Sequence, residues 1–461
     1  MVFVSDSFVF IFLPLFLLAY ALVPSALGNL TILLFSLLFY GWWRFDFVPL
    51  LVGIACWSWF TGLWISKSFG RERRIALLMA IALPLLSLLC FKYANLLVES
   101  ATSLGAPIKN WSAIPLPIGL SFFVFGAISY SVDVFRKTVA AETNLVIYST
   151  YQAMFGHLVA GPVVRYQSVA ERLKSRTFDP AEFAEGLRRF MLGFAQKVLI
   201  ADTLAPLVDG GYSLPSPSSL DVLITVLAYT LHLYFDFAGY SSMAIGLGLM
   251  VGLKFPENFD RPYLSTSLTE FWRRWHISLS SWLRDYLYIP MGGNRVGRVR
   301  TNVNLLVTMA LGGLWHGASW TFLIWGMWHG IGLVACRIWD AMRLPTIPAV
   351  LGHVLTVAFV MMGWLLFRAQ DWQTAGTMFS GAWGVNGLAM SPAFIALVRP
   401  TEIVTLVLGI ALIYLPLAEK RWPIVGSMAR RPSFGLTLLL WLCSLWLMQS
   451  RTVIPFLYFQ F

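Results

Sequence analysis

Six histidines punctuate this chain: His157, His232, His276, His316, His329 and His353. Two of them share a doubled Trp-His-Gly setting, LGGLWHGASWTFLIWGMWHG from Leu311 to Gly330, which places His316 and His329 in an apolar, aromatic, glycine-rich run. An ionisable side chain at membrane depth is expensive to keep and marks a candidate functional site. A neutral imidazole in such surroundings suits a general base rather than a fixed cation. Gly312, Gly313 and Gly317 around His316 allow a neighbour or ligand to approach the backbone closely. A histidine that only bonds a neighbouring helix is the plainer alternative, and the doubled motif weighs against it.

His276 lies in a second stretch, SLTEFWRRWHISLSSWLRDYLYIPMGGN. Helical spacing over 268–289 puts Phe271, Trp275, Leu279, Trp282 and Tyr286 on one stripe. Arg273 and Arg284 then share another face, about 20° apart. A helix of that design belongs at the membrane interface. Its arginines are suited either to lipid headgroups or to the phosphates of a nucleotide-bearing substrate. Asp236, within the apolar run LYFDFAGYSSMAIGLG, must be paired or neutral. A metal is not expected. On one helix His316 and His329, 13 residues apart, would point about 220° apart, and no zinc-type Cys/His cluster accompanies them. Neither a G-x-S-x-G elbow nor a Walker A sequence is present, which leaves a serine hydrolase and an ATP-driven pump unsupported.

The elements that must carry these residues are membrane helices. Of 461 residues 58% are hydrophobic and 12% charged, against about 25% charged in soluble domains. Continuous rather than alternating apolar runs select helices over a barrel. Candidate spans cover about 8–24, 29–42, 47–66, 76–98, 115–134, 147–162, 190–208, 221–250, 303–335, 350–368, 402–418 and 433–449, some of them short enough to be re-entrant. The N-terminal run lacks a basic leader and reads as a first membrane helix rather than a cleaved signal. The net charge of +11 reads as positive-inside loops facing anionic lipid rather than nucleic-acid binding. The basic loop Lys67, Arg71, Arg73, Arg74 is placed in the cytoplasm on that rule. Residues 163–190 read as one or two interfacial helices, with Pro180 at a helix start after Asp179. Residues 369–401 read as a Gly/Ser/Trp-rich loop. Four scattered cysteines read as small buried hydrophobes. No linker separates domains, so residues 1–461 are expected to form a single membrane-embedded domain with its core motifs in 115–370 and C-terminal helices in 402–449.

The passages FYGWWRFDF (39–47), FKYANL (91–96), LPIGLSFFVF (116–125), HLVAGPVVR (157–165), QKVLIADTLA (196–205), LYFDFAGYSSMAIGLGLMVG (233–252), ENFDRPYLSTSLTEFWRRWHISLSSWLRDYLYIPMGGNR (257–295) and GGLWHGASWTFLIWGMWHG (312–330) resemble the membrane-bound O-acyltransferase (MBOAT) family. Within it, the branch most resembled is that of the bacterial alginate O-acetyltransferase membrane subunits. The resemblance implies an all-α, polytopic membrane fold, with tilted helices ringing a central tunnel and re-entrant or interfacial helices beside it. It implies catalytic roles for His316 and His276, with His329 and Trp315 supporting them. Arg273, Arg274, Arg284, Trp275 and Asp236 are the candidate contacts to acetyl-CoA, the acyl donor. No bound cofactor is implied. The implied setting is the bacterial inner membrane, with SGNH-type periplasmic acetyltransferases as partners that hand the acetyl group to a glycan. Three rival readings remain: the same chemistry on peptidoglycan or another glycan, a small-solute transporter, and a non-catalytic scaffold for export machinery.

Overall fold

The computed structural model describes residues 2–108, 110–418, 432–451 and 456–457. They are helical, with no strand among them. Eight of the described helices are long and apolar enough to cross a membrane: Ser25–Trp43, Phe45–Lys67, Gly70–Ser103, Pro180–Tyr212, Ser219–Met250, Trp320–Ala341, Ala349–Arg368 and Pro400–Leu417. Ser7–Leu22 and Phe434–Ser450 are apolar but shorter. Many large apolar side chains on these helices stay exposed, such as Leu34, Leu78, Leu355 and Val407. In water that surface would be a liability, whereas against lipid tails it costs nothing to expose.

The described residues form two compact units. The first comprises residues 1–190 and 243–257. Its floor is an aromatic ladder in which Phe8, Phe12 and Phe16, spaced four apart on one helix face, converge with Phe39 on Phe155. Gly62 lets Tyr130 lie against its helix, and Tyr130, Tyr148, Tyr151 and Tyr166 form a second cluster. Arg71, Arg73 and Arg74, expected in a loop, lie in the first turns of Gly70–Leu88, and Arg73 donates to the Phe135 carbonyl (2.6 Å), which brings the end of Leu120–Arg136 beside them. Asp179 accepts from the Ala181 amide (2.8 Å) and Pro180 takes the first helical position, as the sequence suggests. The span expected over 147–162 is interrupted at Met154, whose extended ψ of 118° separates Leu145–Ala153 from Phe155–Leu158.

The second unit comprises residues 191–242 and 258–461. Here three expectations are corrected. The single span over 303–335 is two helices, Arg298–His316 and Trp320–Ala341, because Gly317 is extended and Ser319 caps the next helix at the Thr321 amide. The single interfacial helix over 268–289 is broken at Trp275–His276, so the stripe and the shared arginine face derived from it do not exist as such. The loop over 369–401 contains two short helices, Trp372–Ala382 and Pro392–Leu397, each started by a side-chain cap, Asp371 on Thr374 and Ser391 on Phe394. Arg298–His316 and Trp320–Ala341 pack closely through glycines. A Cβ on Gly313 would strike the Phe322 carbonyl, and one on Gly326 would strike the Met309 carbonyl. Small residues at a helix contact are how membrane helices gain packing area.

Candidate active site

His316 is the last residue of its helix, and its side chain is 5% exposed. The three-residue turn that follows is possible because Gly317 carries no Cβ, which would run into the Phe322 ring. Aromatic rings wall the imidazole. Trp325 stands nearly perpendicular to it at 5.1 Å between centroids, Phe367 at 5.2 Å and Trp315 at 5.1 Å. The His276 ring is 6.2 Å away. One small reacting group could therefore touch both imidazoles.

His276 is fully buried and held by its backbone as much as by its ring. Its φ of 45° and ψ of 53° lie in the left-handed region, which costs a non-glycine residue about 1–2 kcal/mol. Such strain persists only where the surroundings over-determine it, and it clusters at functional sites. The surroundings here are the segment 258–260. The Asp260 amide donates to the Arg274 carbonyl (3.0 Å), and the Ile277 amide donates to the Asn258 carbonyl (2.9 Å). These two bonds replace the helical bonds lost at the break.

The Asn258 side chain completes the cradle. Its amide nitrogen donates to Ser241 Oγ (3.0 Å), which leaves Oδ1 as the acceptor. Oδ1 accepts from Ser278 Oγ (2.8 Å) and faces His276 Nδ1 at 3.0 Å. Nδ1 must then carry the proton, and Nε2 of a neutral ring presents a lone pair. Nε2 has no hydrogen-bond partner among the described residues. Burial holds the ring neutral, with its pKa pulled down to about 3.

His329 is fully buried and lies 5.0 Å from the Trp325 ring. Its Nδ1 accepts from Trp272 Nε1 (3.3 Å). The two Trp-His-Gly histidines thus sit on different helices and both contact one tryptophan. No group of three or more His, Cys, Asp or Glu among the described residues is arranged to hold a metal.

The remaining sequence candidates are placed as follows. Trp275 is buried in an aromatic cluster with Phe271, Phe259, Tyr263 and Trp364. Arg273 is exposed, Arg274 pairs with Glu270 (2.7 Å), and Arg284 pairs with its neighbour Asp285 (2.7 Å). Trp315 touches both His276 and His316. Asp236 belongs to a buried ion cluster. Lys197 Nζ lies 2.6 Å from Asp236 and 2.5 Å from Asp202, and Asp236 also accepts from the Leu457 amide (3.0 Å). Sequence reasoning did not single out Asn258, Phe367 or Lys197. Nothing in its local pattern distinguishes Asn258. Lys197 carried a usable signal, because a lysine within an apolar span demands a carboxylate partner.

The membrane-bound O-acyltransferase family model matches residues 86–373. The chain is 42% identical to a protein of Pseudomonas putida named "Probable alginate O-acetylase AlgI", the match covering 100% of both chains. It is 43% identical to the protein of the same name from Azotobacter vinelandii, again over 100% of both. A "Peptidoglycan O-acetyltransferase" of Helicobacter pylori is 32% identical over 85% of this chain and 81% of its own.

Proposed function

This chain belongs to the membrane-bound O-acyltransferase family, and from that premise we propose that it moves acetyl groups from acetyl-CoA to an exopolysaccharide, alginate, through His316. It is a multi-pass helical membrane protein and an acyltransferase. The observation that carries the reading is the meeting of the buried His316 and His276 rings within one shell of aromatic side chains, each at a break in its helix. The full-length relatives named for alginate favour that glycan over peptidoglycan, whose named relative is less similar.

Acetyl-CoA is taken up on the cytoplasmic face of the bacterial inner membrane. Arg273, Arg274 and Arg284 are the candidate phosphate contacts, the last two by exchanging Glu270 and Asp285 for phosphate, and Trp275 and Asp236 are the remaining candidate contacts to the donor. His316 removes the proton from the acceptor hydroxyl as its oxygen attacks the thioester carbonyl. The C–S bond breaks, the acetyl ester forms, and the proton passes to the departing CoA thiolate. A direct attack by the imidazole, with acetyl carried briefly on its nitrogen, uses the same geometry. The carbonyl end of Arg298–His316 favours the positive charge that His316 gains in either route. With its Nε2 lone pair, His276 accepts a proton-bearing partner and orients it, while His329 and Trp315 hold the walls. An SGNH-type periplasmic partner receives the acetyl group and delivers it to the sugar.

The test is acetyl transfer from labelled acetyl-CoA by the full-length protein in proteoliposomes. Removing a general base costs about 10²–10⁴-fold. His316→Ala should lose that much activity while inserting and eluting as the wild type does. Near wild-type transfer by this variant would remove His316 from the mechanism. Solute flux without acetyl-CoA consumption would favour a transporter instead.

A further inference from the structure

The first unit contains a cavity of 840 Å³ that the acyl-transfer reading does not use. Ligand sites span about 300–1,000 Å³. Its walls are strongly two-sided in chemistry. Leu17, Leu27, Leu30, Ile147, Phe183 and Leu249 supply apolar surface. Leu27 and Leu30 stay exposed in the protein alone, as side chains that meet lipid do. The polar side is formed by residues 173–182 together with Asn29 and Asn144.

The charges on that polar side are almost all accounted for. Lys174 pairs with Glu142 (3.1 Å). Glu182 pairs with Arg172 and Lys254, each at 2.7 Å. Asp179 caps the helix that begins at Pro180. Arg176 differs. Its guanidinium donates to Asn29 Oδ1 (2.7 Å) and stands 6.0 Å from the centre of the Tyr20 ring, both neutral groups. Its Nη1 is buried and has no hydrogen-bond partner among the described residues. Asn29 is itself fixed by donating to the Leu173 carbonyl (2.8 Å), and the Tyr20 hydroxyl donates to the Val251 carbonyl (3.2 Å). A pinned cation without a carboxylate, beside an apolar groove, is built for an anion that arrives with a hydrophobic body.

The side of the membrane agrees. Lys67 and Arg71 to Arg74 mark the cytoplasmic side by the positive-inside rule. Arg73 ties the end of Leu120–Arg136 to that side. Asn144, Lys174 and Arg176 follow from there without a further crossing helix, which assigns the cavity to the cytoplasmic side.

We propose that this cavity is a phospholipid site, in which Arg176 holds the phosphodiester of an anionic headgroup while the acyl chains lie along the Leu17–Leu30 wall. A single uncompensated cation matches one phosphodiester charge. It does not match the several phosphate charges of a coenzyme A, so the site is distinct from that of the acyl donor.

The experiment uses purified full-length protein in mixed micelles, with bound lipid counted by native mass spectrometry. Phosphatidylglycerol should be retained by the wild type and lost about tenfold or more by Arg176→Gln, the expected scale for a charge-assisted contact. Arg176→Lys should recover most of the binding. Ile147→Trp, which fills the groove and leaves Arg176 in place, should also lose it. Diacylglycerol with the same chains should be held equally weakly by all four proteins. Excess glycerol phosphate should fail to displace the lipid. Equal retention by wild type and Arg176→Gln overturns the proposal. So does retention by Ile147→Trp at the wild-type level. Displacement by glycerol phosphate would show that the occupant is a soluble phosphate instead. If Arg176→Gln fails to fold, the Ile147→Trp and glycerol phosphate arms decide.

Discussion

Asn258 does for His276 what a carboxylate does for many catalytic histidines. It fixes which ring nitrogen carries the proton, and it does so without adding charge to a buried site. The same residue uses its carbonyl to hold the backbone break. Asn258→Ala removes the acceptor for Nδ1 and frees the tautomer. A buried hydrogen bond of this kind is worth about 1–3 kcal/mol, so kcat should fall about 5- to 150-fold with little change in the KM for acetyl-CoA. A rise in KM alone would mean that Asn258 acts on binding and not on His276. None of this was visible locally. The two histidine motifs stood out because an ionisable group in an apolar run is conspicuous. An asparagine 18 residues before its partner has no periodic relation to it, and the contact exists only after the chain has folded.

At the scale of elements, two segments read as continuous helices, one from hydropathy and one from helical spacing, are broken where the histidines sit. Apolar periodicity reports the environment of a segment and says little about a single residue that leaves helical geometry within it. At His316 the break is possible because Gly317 can pass the Phe322 ring. The hairpin it creates depends on glycine at the crossing with Trp320–Ala341. Gly326→Val drives a side chain into the Met309 carbonyl and to within 3.0 Å of Ala310 Cα. Overpacking of this kind costs about 1–3 kcal/mol or more, and the thermal midpoint in detergent should drop accordingly. Gly376, within Trp372–Ala382, faces open space. Gly376→Ala should leave the midpoint unchanged or raise it, since alanine gains about 0.5–1 kcal/mol over glycine inside a helix. Similar losses in both variants would show that the crossing is not the sensitive contact.

For the molecule as a whole, charge inside the membrane must balance. Lys197 stands between Asp202 and Asp236, and Arg451 bonds Thr203 next to that cluster (2.9 Å). Removing one member of a buried pair leaves a charge uncompensated, at about 3–5 kcal/mol. Lys197→Met, which strands two carboxylates, should therefore unfold at a much lower temperature than the wild type. Asp236→Asn leaves Lys197 with Asp202 as a one-to-one pair and should be far milder. Equal losses would mean that the cluster acts through packing rather than charge. Composition and hydropathy by themselves determined that the chain is helical and lives in a membrane, because transfer of apolar surface is additive along the sequence and needs no knowledge of partners. The two histidine motifs likewise declared themselves as linear patterns. Tertiary structure alone decided which rings meet, where the helices break, and which carboxylates satisfy Lys197. Those outcomes rest on short-range contacts between residues far apart in the chain, and such contacts have no energy until the intervening helices bring the groups within a few ångströms of one another.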